Sequence, residues 1–547
     1  MPKHRLEQHE HYGKAPLPLQ TVKEPIFALN ERKPPRPEPV IVKRWSWSGL
    51  AIFLYFIAAA VYYFLIRATR TLNIGYTSYG QLVLAIEIIS ATATLSYGIL
   101  LTRYTQPKAV KGLPIADDST PLDANDIQFR VHVLICCYGE DDAVVGNTVE
   151  KTLLAKLPAR TKRTIYLCDD KGEQSKADIV KKLSAAYSDS RTDLRYITGR
   201  VRVADGRTAR EVNGRVREVN GKSNNLNNCL KNVIYPGFTD PKTQTIPDNE
   251  IMMVLDADQA PVESFFCRVL EVMADQDIAL CLTPQNFDDV KASYDIFNCL
   301  NLSFWEYMLP GTDAVEYVAC TGTNFGLRCD ALFKCNWFPS WSVTEDYTLG
   351  MNLKAKGYKA RYLNEYLVFG TSPETVRKVF QQRSRWCKGQ MQVLFSRECP
   401  LLDTGLTWDM RLLYTSVTWS YITNMLAVPC SVLVPFVALV FGVYPLVLNR
   451  DFALAATLYY TSSTMVTMYA RRWDHLKPVW FCIVSCHLLW FTFTKAVFNV
   501  AIIAPLTGKM LGFKVTGAKN AASAATAAAA GNAQGKEGRA AAAASRS

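Results

Sequence analysis

Long uncharged apolar runs bracket a central stretch in which short apolar segments alternate with mixed ones. This order predicts a soluble domain set between membrane helices. Residues 45–66 carry no charge and are long enough to cross ~30 Å of hydrocarbon as a helix. Residues 72–101 follow with one acid, Glu87, which must face protein or a polar channel because a lone carboxylate is costly in lipid. The pair forms a hairpin, and Arg103, Lys108 and Lys111 return its end to the cytoplasm. Neither run is a cleaved leader: the first starts late and no small-residue cleavage pattern follows it.

Towards the other end, residues 412–449 are uncharged over more than one perpendicular crossing, with Pro429 and Pro435 placed to kink them. Residues 452–470 form the next expected span, stopped by Arg471 and Arg472. Residues 478–506 are divided by Lys495 and are expected as an interfacial helix, with a fifth transmembrane helix as the alternative.

Between about residues 110 and 405 the pattern changes. Continuous apolar runs at 131–137, 164–167, 251–255 and 278–282 read as buried parallel strands, and helical patterns separate them. The expected organisation is a tail (1–44), a transmembrane hairpin (45–103), an α/β domain (110–405), transmembrane and interface helices (406–519) and a low-complexity tail (520–547).

Composition changes this picture little. The net charge of +12 sits mainly in the first tail and the soluble part. A basic, Pro-rich tail before a membrane span is explained by anionic lipid, which argues against nucleic acid as a partner. The fifteen cysteines are scattered, without the paired spacing of a structural zinc site, so a reduced cytosolic domain is expected. The last stretch is mostly Ala, Gly and Ser and has nothing large to pack.

Four polar clusters carry the chemistry. Asp169-Asp170 and Asp256-Ala257-Asp258 each close an apolar run, so carboxylates arrive at the carboxyl edge of the sheet, where open α/β sheets bind ligands. Asp256 and Asp258 can hold Mg2+ or Mn2+, which prefer oxygen ligands and accept substrate phosphates as partners. Asp169 and Asp170 would accept hydrogen bonds from a base or ribose, or form an Asx turn. Lys222, in Gly221-Lys222-Ser223-Asn224-Asn225, is a phosphate contact or a plain helix start.

Thr344-Glu345-Asp346 opens a helical pattern over 347–353. Acids there suit the helix dipole, and the same placement directs Asp346 as a general base. In Gln382-Arg383-Ser384-Arg385-Trp386, Arg385 can pair with a departing diphosphate and Trp386 can stack on a sugar ring. The basic, partly apolar segment 375–396 also suits a helix at a membrane surface.

The order DD, DxD, TED, QxxRW resembles the processive family 2 glycosyltransferases, nearest to the cellulose synthase group. Tyr138-Gly139-Glu140, Thr283-Pro284-Gln285 and Phe513-Lys514-Val515-Thr516 add to the likeness, the last resembling the FxVT gating loop. The resemblance implies a cytosolic GT-A type nucleotide-sugar domain between transmembrane helices, with amphipathic interface helices. It implies Asp169, Asp170, Lys222, Asp256 and Arg385 as nucleotide contacts and Asp256 and Asp258 as metal contacts. Asp346 is the implied base; Thr344, Glu345, Gln382 and Trp386 are implied acceptor contacts; and Phe513, Val515 and Thr516 form the gating loop.

The activity implied is inverting transfer of glucose from UDP-glucose to a growing β-glucan that is translocated across the bilayer. The chain would be cellulose-like, mixed-linkage β-1,3/1,4 or β-1,3. A hyaluronan- or chitin-type synthase using UDP-N-acetylglucosamine and a non-catalytic scaffold are the alternatives; Arg385-Trp386-Cys387-Lys388-Gly389 favours the glucan synthases. An integral, multi-pass place in the plasma membrane is expected, and a homo-oligomer is left open.

The chain also departs from the pattern. Thr321 stands where a cysteine is usual and Ala319 where an aromatic is usual, Gly139 replaces an asparagine, and the lysine of the gating motif moves to Lys519. No further span and no cyclic-dinucleotide-binding domain is expected, hence a smaller membrane part.

Overall fold

The computed structural model describes residues 47–101, 127–187, 189–199, 209–212, 215–219, 221–287, 295–297, 301, 304–314, 317–470 and 476–507. The expected α/β sheet is present. Its strands are β1 (Phe129–Cys137), β2 (Thr161–Asp169), β3 (Thr192–Ile197), β4 (Glu250–Asp256), β5 (Ile278–Leu282), β6 (Phe325–Arg328) and β7 (Lys359–Tyr362). They lie in the order β7-β5-β6-β4-β1-β2-β3. β1 runs parallel to β2 and β4, and β2 to β3, whereas β6 is antiparallel to both β4 and β5.

Alternating side chains divide between two cores. Val131, Val133 and Ile135 pack on one face against α3 (Asp142–Leu154), α4 (Gln174–Ala186) and α6 (Phe265–Met273). Leu134, Tyr166, Met252 and Val254 pack on the other, where α5 (Lys222–Cys229) contributes Leu226 and Cys229. The register then fixes the ligand edge. Cys137 pairs with Asp169 and Cys136 with Asp256, so the first two acidic clusters flank the end of β1, two strand spacings (~10 Å) apart.

At the opposite, amino end of β2, buried Arg163 ties the sheet to its flanking helix. Its guanidinium donates to the carbonyls of Thr152, Leu153 and Ala155 at 2.6–3.0 Å, satisfying acceptors that the end of α3 leaves free. Desolvation pushes its pKa down to about 10.

The hairpin forms as α1 (Trp47–Arg70) and α2 (Thr77–Leu101). Glu87 does face protein: buried Arg67 donates to it at 3.0 Å and also to Thr71. After the α/β domain come α7 (Glu345–Ala355), α8 (Val376–Leu394), α9 (Trp408–Phe441), α10 (Arg450–Ala470) and α11 (Leu476–Phe498). Pro429 and Pro435 both lie inside α9, which at 34 residues is about 51 Å long.

Among the described residues, four helical stretches are long and apolar enough to cross a membrane: Trp47–Arg70, Ile74–Ser96, Trp408–Phe441 and Ile483–Thr507. By length and apolar character the last two stretches rank in the opposite order to the expectation. The stretch expected as an interfacial helix meets the criterion, because α11 continues unbroken to Thr507. The expected span 452–470 does not, because hydroxyl-bearing residues such as Thr457, Tyr459, Ser462 and Thr464 dilute its apolar character. Helix α10 instead packs along α1, with Tyr459 stacked on Tyr63 at 4.8 Å.

Replacing Arg163 by Met leaves three helix-end carbonyls without their donor. The expected cost is about 2–4 kcal/mol, read as a lower melting temperature of the purified protein.

Candidate active site

Asp169 ends β2 as a buried carboxylate whose oxygens are already engaged. Oδ1 accepts from the Lys171 amide (2.9 Å), and Oδ2 accepts from the Glu173 amide (2.6 Å) and the Tyr196 hydroxyl (2.8 Å). It builds the β2–α4 turn, the Asx-turn alternative of the sequence. Asp170, partly exposed, follows it on the open edge.

The next loop is set by Gly139, at φ +77°, where a Cβ would meet the Lys171 side chain at 3.2–3.3 Å. Asparagine is the other residue that visits this conformation readily, which explains why glycine serves in its place. Glu140, which the motifs alone did not single out as a site residue, follows directly. Its oxygen accepts from the Tyr138 amide, and burial raises its pKa.

Asp256 and Asp258 straddle the turn after β4. Burial first, then repulsion from Asp256 and Glu140, pushes Asp258 up to about 7. Such crowding is what a divalent cation relieves. Among the described residues no three His, Cys, Asp or Glu side chains form a cage. Two carboxylates nevertheless fit Mg2+ or Mn2+, which keep open positions for water and substrate phosphate.

Lys222, at the start of α5, crosses from this cluster to the next. Its ammonium donates to Asp256 and to the carbonyl of Gly322. Burial alone would lower its pKa, but the adjacent carboxylates, Asp256 first, hold it above the ordinary lysine range. The Gly322 amide in turn donates to Asp346 Oδ2, while Oδ1 accepts from the Tyr347 amide at 2.8 Å. A continuous polar path therefore runs from Asp256 through Lys222 and Gly322 to Asp346. Burial raises the Asp346 pKa, and burial with the neighbouring Asp346 pushes Glu345 up to about 8. Arg385, from α8, faces this pair closely enough to favour both carboxylates.

Thr344 lies deeper than these two partly buried acids. It is buried where α8 crosses the start of α7, and a Cβ on Gly389 would lie 2.5–2.9 Å from its atoms. Gly389 is therefore what lets α8 approach. Nearly two turns earlier, buried Arg383 lies 4.4 Å from the centre of the Trp386 ring and donates to Asn301 at 2.9 Å. The i, i+3 spacing of Arg383 and Trp386 was the available signal for this pairing. Gln382 is partly exposed on the same helix; Phe513, Val515 and Thr516 lie outside the described residues.

The characteristic sequence pattern of glycosyl transferase family group 2 matches residues 251–507, from the DxD strand through α11. A UDP-forming cellulose synthase from Dictyostelium discoideum is 34% identical over 172 residues, covering 31% of this chain and 15% of that protein. Cellulose synthase 1 catalytic subunit of Komagataeibacter xylinus is 25% identical over 392 residues, 70% of this chain and 46% of its own length. Over these residues the chain is similar to glycosyl transferase family group 2 and to cellulose synthases. It spans less than half the length of these curated relatives. Among solved structures, a mannosyltransferase from Pyrobaculum calidifontis in complex with GDP-Man and Mn2+ aligns with a TM-score of 0.48 at 13% identity, over 78% of this chain and 99% of that one.

Gly389→Ala must push α8 away from Thr344 and displace Arg385 from Asp346. We expect kcat to fall ~10-fold or more with the protein still folded, checked by steady-state kinetics beside a melting curve.

Proposed function

We propose that the protein is a UDP-sugar hexosyltransferase that polymerises glucose from UDP-glucose into a β-glucan and passes it into the membrane. The observation that carries this reading is the placement of Asp346, fixed by two backbone amides and joined through Lys222 to the DxD cluster.

The reaction is a single inverting displacement. Asp346 takes the proton of an acceptor hydroxyl as that oxygen attacks the anomeric carbon of the donor. The bond from that carbon to the diphosphate breaks, and the leaving group gains charge. Arg385 and Lys222 supply positive charge on the two sides of the cleft where that charge develops. Asp256 and Asp258 would hold Mg2+ or Mn2+, which when bound supplies Lewis-acid neutralisation of the diphosphate. Asp170 is placed for the nucleoside, with Asp169 shaping its turn. Trp386, backed by Arg383, offers an aromatic face to the acceptor sugar, and Gln382 a hydrogen-bonding partner.

Translocation rests on how closely the site adjoins the membrane helices. Tyr347, next to the base, donates to the carbonyl of Tyr414 in α9, and the two rings pack edge to face. The same cluster continues to Phe56 and Tyr63 of α1. A product released past Asp346 therefore starts at the end of a membrane helix. Residues 513–516 serve in this reading as the loop that closes over the nucleotide. A multi-pass place in the plasma membrane, with the α/β domain cytosolic, fits the same arrangement.

The base assignment distinguishes two adjacent acids. Asp346→Asn is expected to lower kcat by ~100-fold or more, whereas Glu345→Gln, which resembles the protonated form favoured below about pH 8, keeps activity within a few-fold near neutrality. Because a base acts deprotonated and Asp346 is shifted upward, activity should fall on the acid side at a pH above the ordinary aspartate range. UDP release and glycosyl-linkage analysis with UDP-glucose and Mg2+ or Mn2+ check all three. Polymer from UDP-N-acetylglucosamine alone would overturn the donor assignment.

A further inference from the structure

Three cysteines meet beneath the nucleotide edge, and the transfer reaction uses none of them. Cys136 on β1 and Cys168 on β2 are register partners of a parallel ladder, and Cys229 lies at the end of α5. The Cys168 thiol donates to the carbonyl of Tyr166 at 3.7 Å and packs with Cys229 in one core, with Cys136 against it. Cys168 and Cys229 are fully buried, whereas Cys136 is partly exposed. Cys136 is also the register partner of Asp256 on its other side, and its sulfur lies in the electrostatic neighbourhood of Lys222. Cys136 is thus a partly exposed thiol at the open end of a strand with a second thiol as its register partner, the exposure and resolving partner that thiol oxidation uses.

We propose that Cys136 and Cys168 form a redox modification site at the floor of the donor cleft, where hydrogen peroxide converts the two thiols into a disulfide and switches transfer off. Adjacent strands place partner Cα atoms ~4.8 Å apart, inside the 4.4–6.8 Å span of disulfides.

The Cys136 sulfur attacks the peroxide, the O–O bond breaks, and one oxygen leaves as water with the thiol proton, giving a sulfenic acid. The Cys168 sulfur then attacks the sulfenic sulfur. The S–O bond breaks, a second water leaves with the Cys168 proton, and the S–S bond forms. Two thiols are oxidised and one peroxide is reduced to two waters. A dithiol reverses the change by exchange.

The consequence follows from position. Cys136 is one residue before the end of β1, and Cys168 immediately precedes Asp169. A covalent link there draws together the ends that carry the Glu140 loop and the Asp169 turn. It also replaces the thiol beside Lys222 with a fixed sulfur that carries no proton. The donor cleft closes on itself while Asp346 and α8 stay in place.

The test uses the purified full-length protein in lipid nanodiscs, treated with hydrogen peroxide, alkylated, and mapped by peptide mass spectrometry. A Cys136–Cys168 linked peptide is expected, together with a fall in UDP-glucose turnover of ~10-fold or more that dithiothreitol reverses. UDP present during oxidation is expected to slow linkage. Cys136→Ser, which makes no assigned donor or acceptor contact, is expected to keep its activity and resist peroxide. Free thiols at 136 and 168 after treatment, a bridge elsewhere, or peroxide loss persisting in Cys136→Ser would each overturn the proposal. The linkage readout does not depend on the donor sugar, so a wrong donor assignment and a wrong thiol assignment give different results.

Discussion

One ammonium ion stands between two groups of carboxylates in this protein. Asp256, Asp258 and Glu140 collect on one side of the cleft, Glu345 and Asp346 on the other, and Lys222 reaches both through Asp256 and the Gly322 carbonyl. Without that charge, the cost of burying so many acids together would expel one of the groups or keep it protonated. With it, the DxD turn, the segment after residue 320 and the start of α7 are held as one unit. The sheet serves this contact: β4 delivers Asp256, and Thr323 Oγ1 accepts from the Asp256 amide at 2.9 Å to lock the neighbouring loop.

Helix packing carries the arrangement outward. Gly389 permits contact between α8 and the start of α7, and Cys387 and Met391 on α8 pack against Leu489, Phe493 and Ala496 on α11. Tyr347 anchors α7 to α9. A displacement of the apolar helices is therefore felt at Asp346 within one layer of side chains, which couples that side of the cleft to the apolar part of the molecule. The side that carries Asp169 is fastened separately, by the β1–β2 ladder, and the two sides meet through Lys222 and the hydrogen bond between Asp256 and Thr323.

Much of this was legible in the chain because its physical cause is local. Buried parallel strands are continuous apolar runs, so β1, β2, β4 and β5 showed themselves, and acids closing such runs marked the ligand edge. β6 did not, since four residues from Phe325 leave no periodicity and its antiparallel direction follows from the loop that Lys222 and Asp346 hold. The role of Asp169 was half legible. An acid after a strand fits a ligand contact and an Asx turn equally, and only the donors from Lys171, Glu173 and Tyr196 reveal the turn. Thr344 was read as an acceptor contact from its place in the motif, and its burial depends on Gly389 forty-five positions later. Hydropathy ranked the last two apolar stretches differently from residue charge alone, because hydroxyls dilute α10 as effectively as Lys495 interrupts the stretch after residue 478.

The most direct measurement is the split between kcat and the dissociation constant of UDP for Lys222→Met. If Lys222 joins the donor and base sites, the variant binds UDP more weakly and also loses kcat by ~10-fold or more, because Gly322 and Asp346 shift with it. Weaker UDP binding with wild-type kcat at saturating donor would contradict the account and leave Lys222 a phosphate contact alone.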